Sequence, residues 1–128
     1  MGQQQLLLIV LGVIIVGIAV VVGINVFTAS SSQANRDAVI ADLTNLASMA
    51  QQYYRKPAAL AGGGNTFTGW TVPLSIDTTG NGVYTATVTA QSVTLVGTGN
   101  EKGNNGTGKV AVSMVVGPDK ITSTTITN

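Results

Sequence analysis

The sequence predicts an α+β fold: one long N-terminal α-helix, apolar in its first half and amphipathic in its second, packed by a small antiparallel β-sheet of about four strands. Three observations carry this. Leu6 to Phe27 is a run of 22 residues without a charge, its only polar side chain being Asn25. Residues 28–56 continue without Pro or Gly as far as Pro57. Beyond residue 77, short segments of period two alternate with Gly- and Asn-rich turns. The chain divides accordingly into an apolar half-helix (1–27), an amphipathic half-helix (28–56), a Gly-rich connection (57–76) and a β-rich head (77–128).

The apolar half comes first. Twenty-two helical residues rise roughly 33 Å, enough to cross a hydrocarbon core of about 30 Å. The run has no polar stripe, so as a helix it needs lipid or protein on every side. Its Val and Ile content favours a strand in water. In lipid an unpaired strand leaves its backbone groups without partners, and the helix wins. A cleaved export signal fits poorly, because no Lys or Arg precedes the run and the run exceeds the usual apolar core of about 7–15 residues. A permanent single-pass anchor and an assembly rod remain. Arg36 is the first basic residue and Asp37 follows it directly, so flanking charge does not set a membrane orientation. Gly12, Gly17 and Gly23 mark places where a neighbouring helix can approach closely, or are simply glycines that membrane helices tolerate.

In the amphipathic half Val39, Leu43, Leu46, Ala50 and Tyr53 recur at steps of four, three, four and three, which places them on one helix face. Asp37, Asn45 and Gln52 lie opposite. The softest point is Thr28–Ser32, where hydroxyls compete for backbone hydrogen bonds.

Pro57 ends the helix, and Gly62-Gly63-Gly64 lie in what reads as a flexible linker; without a following Lys-Ser/Thr they do not make a phosphate loop. Period-two patterning then puts Tyr84, Ala86, Val88 and Ala90 on one strand face, Val93 and Leu95 on a second, and Val110, Val112, Met114 and Val116 on a third. A weaker strand covers "KITSTTIT" at 120–127. The connections read as "DTTGNG" (77–82), "GTGNEKGNNGTG" (97–108) and "GPD" (117–119). Short links between successive strands imply an antiparallel meander, one face covered by the helix. Phe67, Trp70 and Tyr84 are expected at the helix–sheet seam.

The sequence is poor in reactive groups. It has no His and no Cys, hence neither a neutral-pH general base nor a thiol nucleophile nor a disulfide. The five carboxylates, Asp37, Asp42, Asp77, Glu101 and Asp119, are dispersed, and "DTTGNG" lacks the alternating acids of a calcium loop. No enzyme activity, cofactor or metal is expected. A net charge of +1 leaves no basic footprint for nucleic acid, and the six basic residues read as ordinary surface charge. Asn105-Gly106-Thr107 matches a glycosylation sequon in the longest polar loop, making Asn105 a candidate acceptor; Asn-Gly is also a turn signal.

The short polar start, the long aliphatic helix passing into an amphipathic half, and the Thr/Gly/Val-rich β domain resemble a type IV pilin or pilin-like subunit. The resemblance is one of layout over the whole chain, and its sequence-specific part is residues 1–56. It implies a structural subunit that is inserted in the cytoplasmic membrane before assembly and is handled by pilus assembly machinery. The subunit then polymerises with copies of itself into an extracellular filament on the cell surface. The implied assembly helix comprises Gln5, Leu6, Leu7, Leu8, Ile9, Val10, Leu11, Val13, Ile14, Ile15, Val16, Ile18, Val20, Val21, Val22, Ile24 and Phe27. The family's helix carries a glutamate near its start; counted from Met1, Gln5 takes that place, able to hydrogen-bond a neighbour's terminal amine but not to neutralise it. The family's basic leader ending in glycine is either removed ahead of Met1 or reduced to Met1-Gly2. Adhesion, motility and DNA uptake are the uses the resemblance leaves open. A membrane-anchored envelope protein with a small β-rich binding domain, and a minor pseudopilin of a secretion system, are the alternative readings.

Overall fold

The computed structural model describes residues 2–128. Among them the elements run α1 (Gly2–Arg55), a single 3-10 turn (Ala58–Leu60), then β1 (Gly82–Val88), β2 (Val93–Lys102), β3 (Lys109–Val116) and β4 (Ile121–Ile126). Helix α1 includes Thr28–Ser32. Of the hydroxyls there, Thr28 Oγ1 donates within the helix to the Ile24 carbonyl at 2.9 Å and Ser32 Oγ donates to the Lys102 carbonyl at 2.7 Å. The chain separates into two compact units, Met1–Ser31 and Ser32–Asn128.

The second unit is the α+β head. Its four strands form one antiparallel sheet in the order β1-β2-β3-β4. The register pairs Tyr84 with Gly97, Leu95 with Met114 and Met114 with Thr124. One face receives the 32–55 portion of α1. Val39, Leu43, Leu46, Ala47 and Ala50 from the helix meet Tyr84, Val93, Leu95, Val110, Val112, Met114 and Val116 from the sheet, with Phe67 and Trp70 closing the end. Tyr53 is packed partly buried against this core, and its hydroxyl donates to the Thr68 carbonyl at 2.9 Å. Burying a side chain of this size contributes about 1.5–3 kcal/mol, so the helix stripe and the inner sheet face supply the main apolar gain of the head.

Two expectations about connections are corrected. Residues 97–102 belong to β2 rather than to a loop, and only Gly103–Gly108 connects β2 to β3. The reason is steric. A Cβ on Gly97 would lie 2.6 Å from Val39 Cγ1 and 3.1 Å from the Tyr84 ring. A Cβ on Gly99 would collide with the Asn35 carboxamide. The glycines are there because α1 crosses the sheet at close range, not because the strand ends.

Residues 62–65 are likewise not a flexible linker. They satisfy the carbonyls that the helix leaves open at its C-terminus: Gly63 N donates to Tyr53 O at 2.8 Å, Gly64 N to Lys56 O at 2.9 Å and Asn65 N to Tyr54 O at 2.8 Å. A Cβ on Gly62 would strike the Lys56 carbonyl, and one on Gly63 the Thr66 carbonyl. The glycine run is a fitted cap.

Candidate functional site

Residues 2–31 carry no titratable side chain. What distinguishes them is surface. The large apolar side chains from Leu6 to Phe27 are 52% to 75% exposed, with Leu11 the least and Phe27 the most. Exposure is on every side of the helix, since every residue from Gly2 to Ser30 is exposed. Nothing lies within 4 Å of where a Cβ would stand on Gly12, Gly17 or Gly23. The apolar window of α1 has a mean hydropathy of 3.3 and none of it is buried within the chain, a span long and apolar enough to cross a membrane. Leaving such a surface in water costs on the order of tens of kcal/mol. Gln5 is exposed and, among the described residues, its side chain makes no hydrogen bond. Gln5 and the sixteen side chains that follow it in the implied assembly helix therefore form one continuous surface without an intramolecular partner.

The head places Asp37, Asn45 and Gln52 in solvent and Val39, Leu43, Leu46 and Ala50 in the core. The surface reading of Arg36 is overturned: Arg36 is 5% exposed. Its Nη1 donates to Gln33 Oε1 at 2.8 Å and its Nη2 to Asn104 Oδ1 at 2.7 Å, while its Nε is buried without a partner. No carboxylate lies within 4.0 Å; among the described residues the one ion pair is Arg55–Asp119 at 3.5 Å, between exposed side chains. The clue was phase. Arg36 precedes Val39 by three residues and so falls on the same helix face as the apolar stripe.

Asp42, at the margin of that stripe, was also not singled out by sequence. It accepts from the Tyr84 hydroxyl, from Thr79 Oγ1 at 3.2 Å and from Asn81 Nδ2 at 3.1 Å, which fastens the 77–82 turn to the helix. Burial alone pushes its pKa up. The three hydrogen bonds, Tyr84's largest, outweigh this and hold the carboxyl below its usual value. Tyr84 is pushed up to about 12, by burial first and by its bond to the Asp42 carboxylate second. The cluster is one carboxylate accepting from three neutral donors. No group of three or more acidic side chains is placed to hold a metal ion among the described residues.

Asn105 is exposed in the β2–β3 loop, and its carboxamide oxygen accepts from Thr107 N at 3.0 Å, Gly108 N at 2.9 Å and Asn128 Nδ2 at 3.2 Å. The sequon is thus also a built turn, with Gly106 at φ 74°. Trp70 is 8% exposed, so its ring faces are occupied by the core rather than offered to a ligand. No protein-family model, curated protein or solved structure matches the chain.

Proposed function

We propose that the protein is a structural, pilin-like subunit that polymerises through its apolar N-terminal helix into an extracellular filament, and that it is held in the membrane by the same helix before assembly. The observation that carries this is the all-round exposure of Leu6–Phe27. A purely apolar cylinder has two stable surroundings, hydrocarbon and other apolar helices. Moving from the first to the second exchanges lipid contact for protein contact without exposing the helix to water. In the head, the polar networks around Asp42 and Asn105 tie its own segments together. Gln5, polar at the start of the apolar run, is then a group that hydrogen-bonds a neighbouring copy.

Electron microscopy of native material tests the proposal. Filaments several subunits across with this chain as the main component support it; monomers or small complexes in detergent refute it and leave a membrane-anchored head. Val16→Asp and Ile18→Asp each place a carboxylate in the packed helices, at a cost of several kcal/mol, and abolish filaments, while the 29–128 fragment stays soluble.

A further inference from the structure

We propose that the open edge of β4 is a strand-pairing surface for a second copy of this chain, joined antiparallel about a two-fold axis at Thr124. The two edges of the sheet are treated differently. The first half of the β1 edge is covered by the chain itself: Tyr84 N donates to Asp77 O at 2.8 Å, Thr79 N to Gly82 O at 2.9 Å, and Thr78 bridges Val83, which leaves only the stretch from Ala86 to Val88 without such cover among the described residues. On the far side of β4 no segment among the described residues makes a backbone hydrogen bond.

Which groups β4 offers follows from its pairing with β3. Thr127 N donates to Ala111 O at 2.9 Å, and antiparallel ladders alternate bonded and non-bonded pairs. Thr125 opposite Ser113 and Ser123 opposite Val115 are therefore turned inward to β3. Thr124 and Ile126 turn their N–H and C=O groups outward. Sheet edges are ordinarily blunted by Lys, Pro or an inward charge. Here Ile121–Ile126 reads Ile-Thr-Ser-Thr-Thr-Ile, without charge or proline, and every residue is exposed on both faces.

The occupant is a second copy because the edge complements itself. A two-fold axis perpendicular to the sheet keeps like faces together and pairs residues of equal parity. Centred on Thr124, it sets Thr124 opposite Thr124, Ser123 opposite Thr125, and Ile126 opposite Thr122. The outward groups of Thr124 meet their own equivalents, hydroxyl faces hydroxyl, and no like charges oppose. The other edge offers a shorter run, since Asp77–Thr79 already occupy Gly82–Tyr84 and leave only Ala86 and Val88 to turn outward. The two-fold operator sets β4 against β4 of the other copy and uses up both edges, so such pairing closes at two chains. A six-residue strand is about 20 Å long, a contact well below the roughly 800 Å² per partner of a stable complex; it forms where chains are already concentrated. The proposal stands independently of the filament reading, for it concerns the head alone.

The chain has no cysteine, so single-cysteine probes are clean. The full-length Thr124→Cys chain in detergent, treated with a short bismaleimide, is expected to give a covalent dimer. The Thr85→Cys chain, equally exposed on β1, is expected to give about ten-fold less, the equivalent of about 1.4 kcal/mol. Adding Ile126→Pro removes an outward donor without touching the β3 ladder, and adding Ile126→Lys blunts the edge with a charge. Each is expected to abolish the cross-link without changing the thermal midpoint, and the lysine variant decides if the proline variant does not fold. Equal cross-linking at positions 124 and 85, or a cross-link that survives the edge variants, overturns the proposal.

Discussion

Gly97→Ala is the sharpest probe of how closely the helix and sheet of the head approach. The added Cβ would stand 2.6 Å from Val39 Cγ1 and 3.1 Å from two carbons of the Tyr84 ring, and both residues are essentially fully buried. The Val39 methyl must therefore move inside a packed core, a kind of overpacking that costs about 1–3 kcal/mol. Replacing a strand glycine returns roughly 0.5–1 kcal/mol through lost freedom of the unfolded chain. The net expectation is a loss of about 1–2 kcal/mol, seen as a fall of roughly 5–10 °C in the midpoint of a domain this size. Val39→Ala alone leaves a void and costs about 2 kcal/mol. The double variant places one methyl where another was removed, so its loss is smaller than the sum of the two by about 1–2 kcal/mol. Circular dichroism melts of the full chain in detergent provide the four corners of the cycle. Strict additivity, or a Gly97→Ala variant as stable as the parent, refutes the close crossing as the reason for this glycine.

Three further outcomes follow from the head's polar contacts. Asp42 has a depressed pKa in the folded state, so its contribution is present above the unfolded value near 4 and is lost as pH falls through the folded one; Asp42→Asn is expected to flatten the acid limb of a stability–pH curve below about pH 4, and an unchanged limb contradicts the role. Tyr84, raised to about 12 from 10.0, contributes stability that is complete below pH 10 and lost between about pH 10 and 12, on the order of 2 kcal/mol; Tyr84→Phe is expected to remove that alkaline loss, as followed by melts at stepped pH. Arg36→Met exchanges a buried cation with an unbonded Nε for an apolar chain of similar length and is expected to change stability by less than about 1 kcal/mol; a denaturant midpoint showing a loss above roughly 2 kcal/mol would mean that its bonds to Gln33 and Asn104 are worth more than its desolvation costs.

Much of the architecture was legible because it depends on periodicity alone. A charge-free run, a stripe at helical spacing and four alternating segments are one-dimensional signals, and they correspond to α1, its buried face and β1 to β4. The unburied apolar surface was legible for the same reason: Leu6–Phe27 has no polar face to turn toward water. Where composition misled, the cause was a contact distant in sequence. Gly97 and Gly99 carry a turn composition yet sit inside β2, because Val39 and Asn35 of the helix fill the space a side chain would need. Gly62–Gly64 look like a linker yet close the helix end, because the open carbonyls at residues 53–56 need donors.

The sequence by itself therefore determined the class of the fold, the division into an apolar rod and a β-rich head, and the lack of His and Cys, since each of these rests on residue identity and local spacing. The tertiary structure alone decided which polar residues are structural and which edge is open. Arg36 and Asp42 are ordinary helix residues until Asn104 is brought against the first from 68 positions away, and Thr79, Asn81 and Tyr84 against the second from 37 to 42 positions away. Likewise β1 and β4 are both terminal strands of a meander, but only folding lays Asp77–Thr79 along one and leaves the other bare. Hydrogen bonding and steric fit between distant segments are properties of positions in space, and no local pattern encodes them.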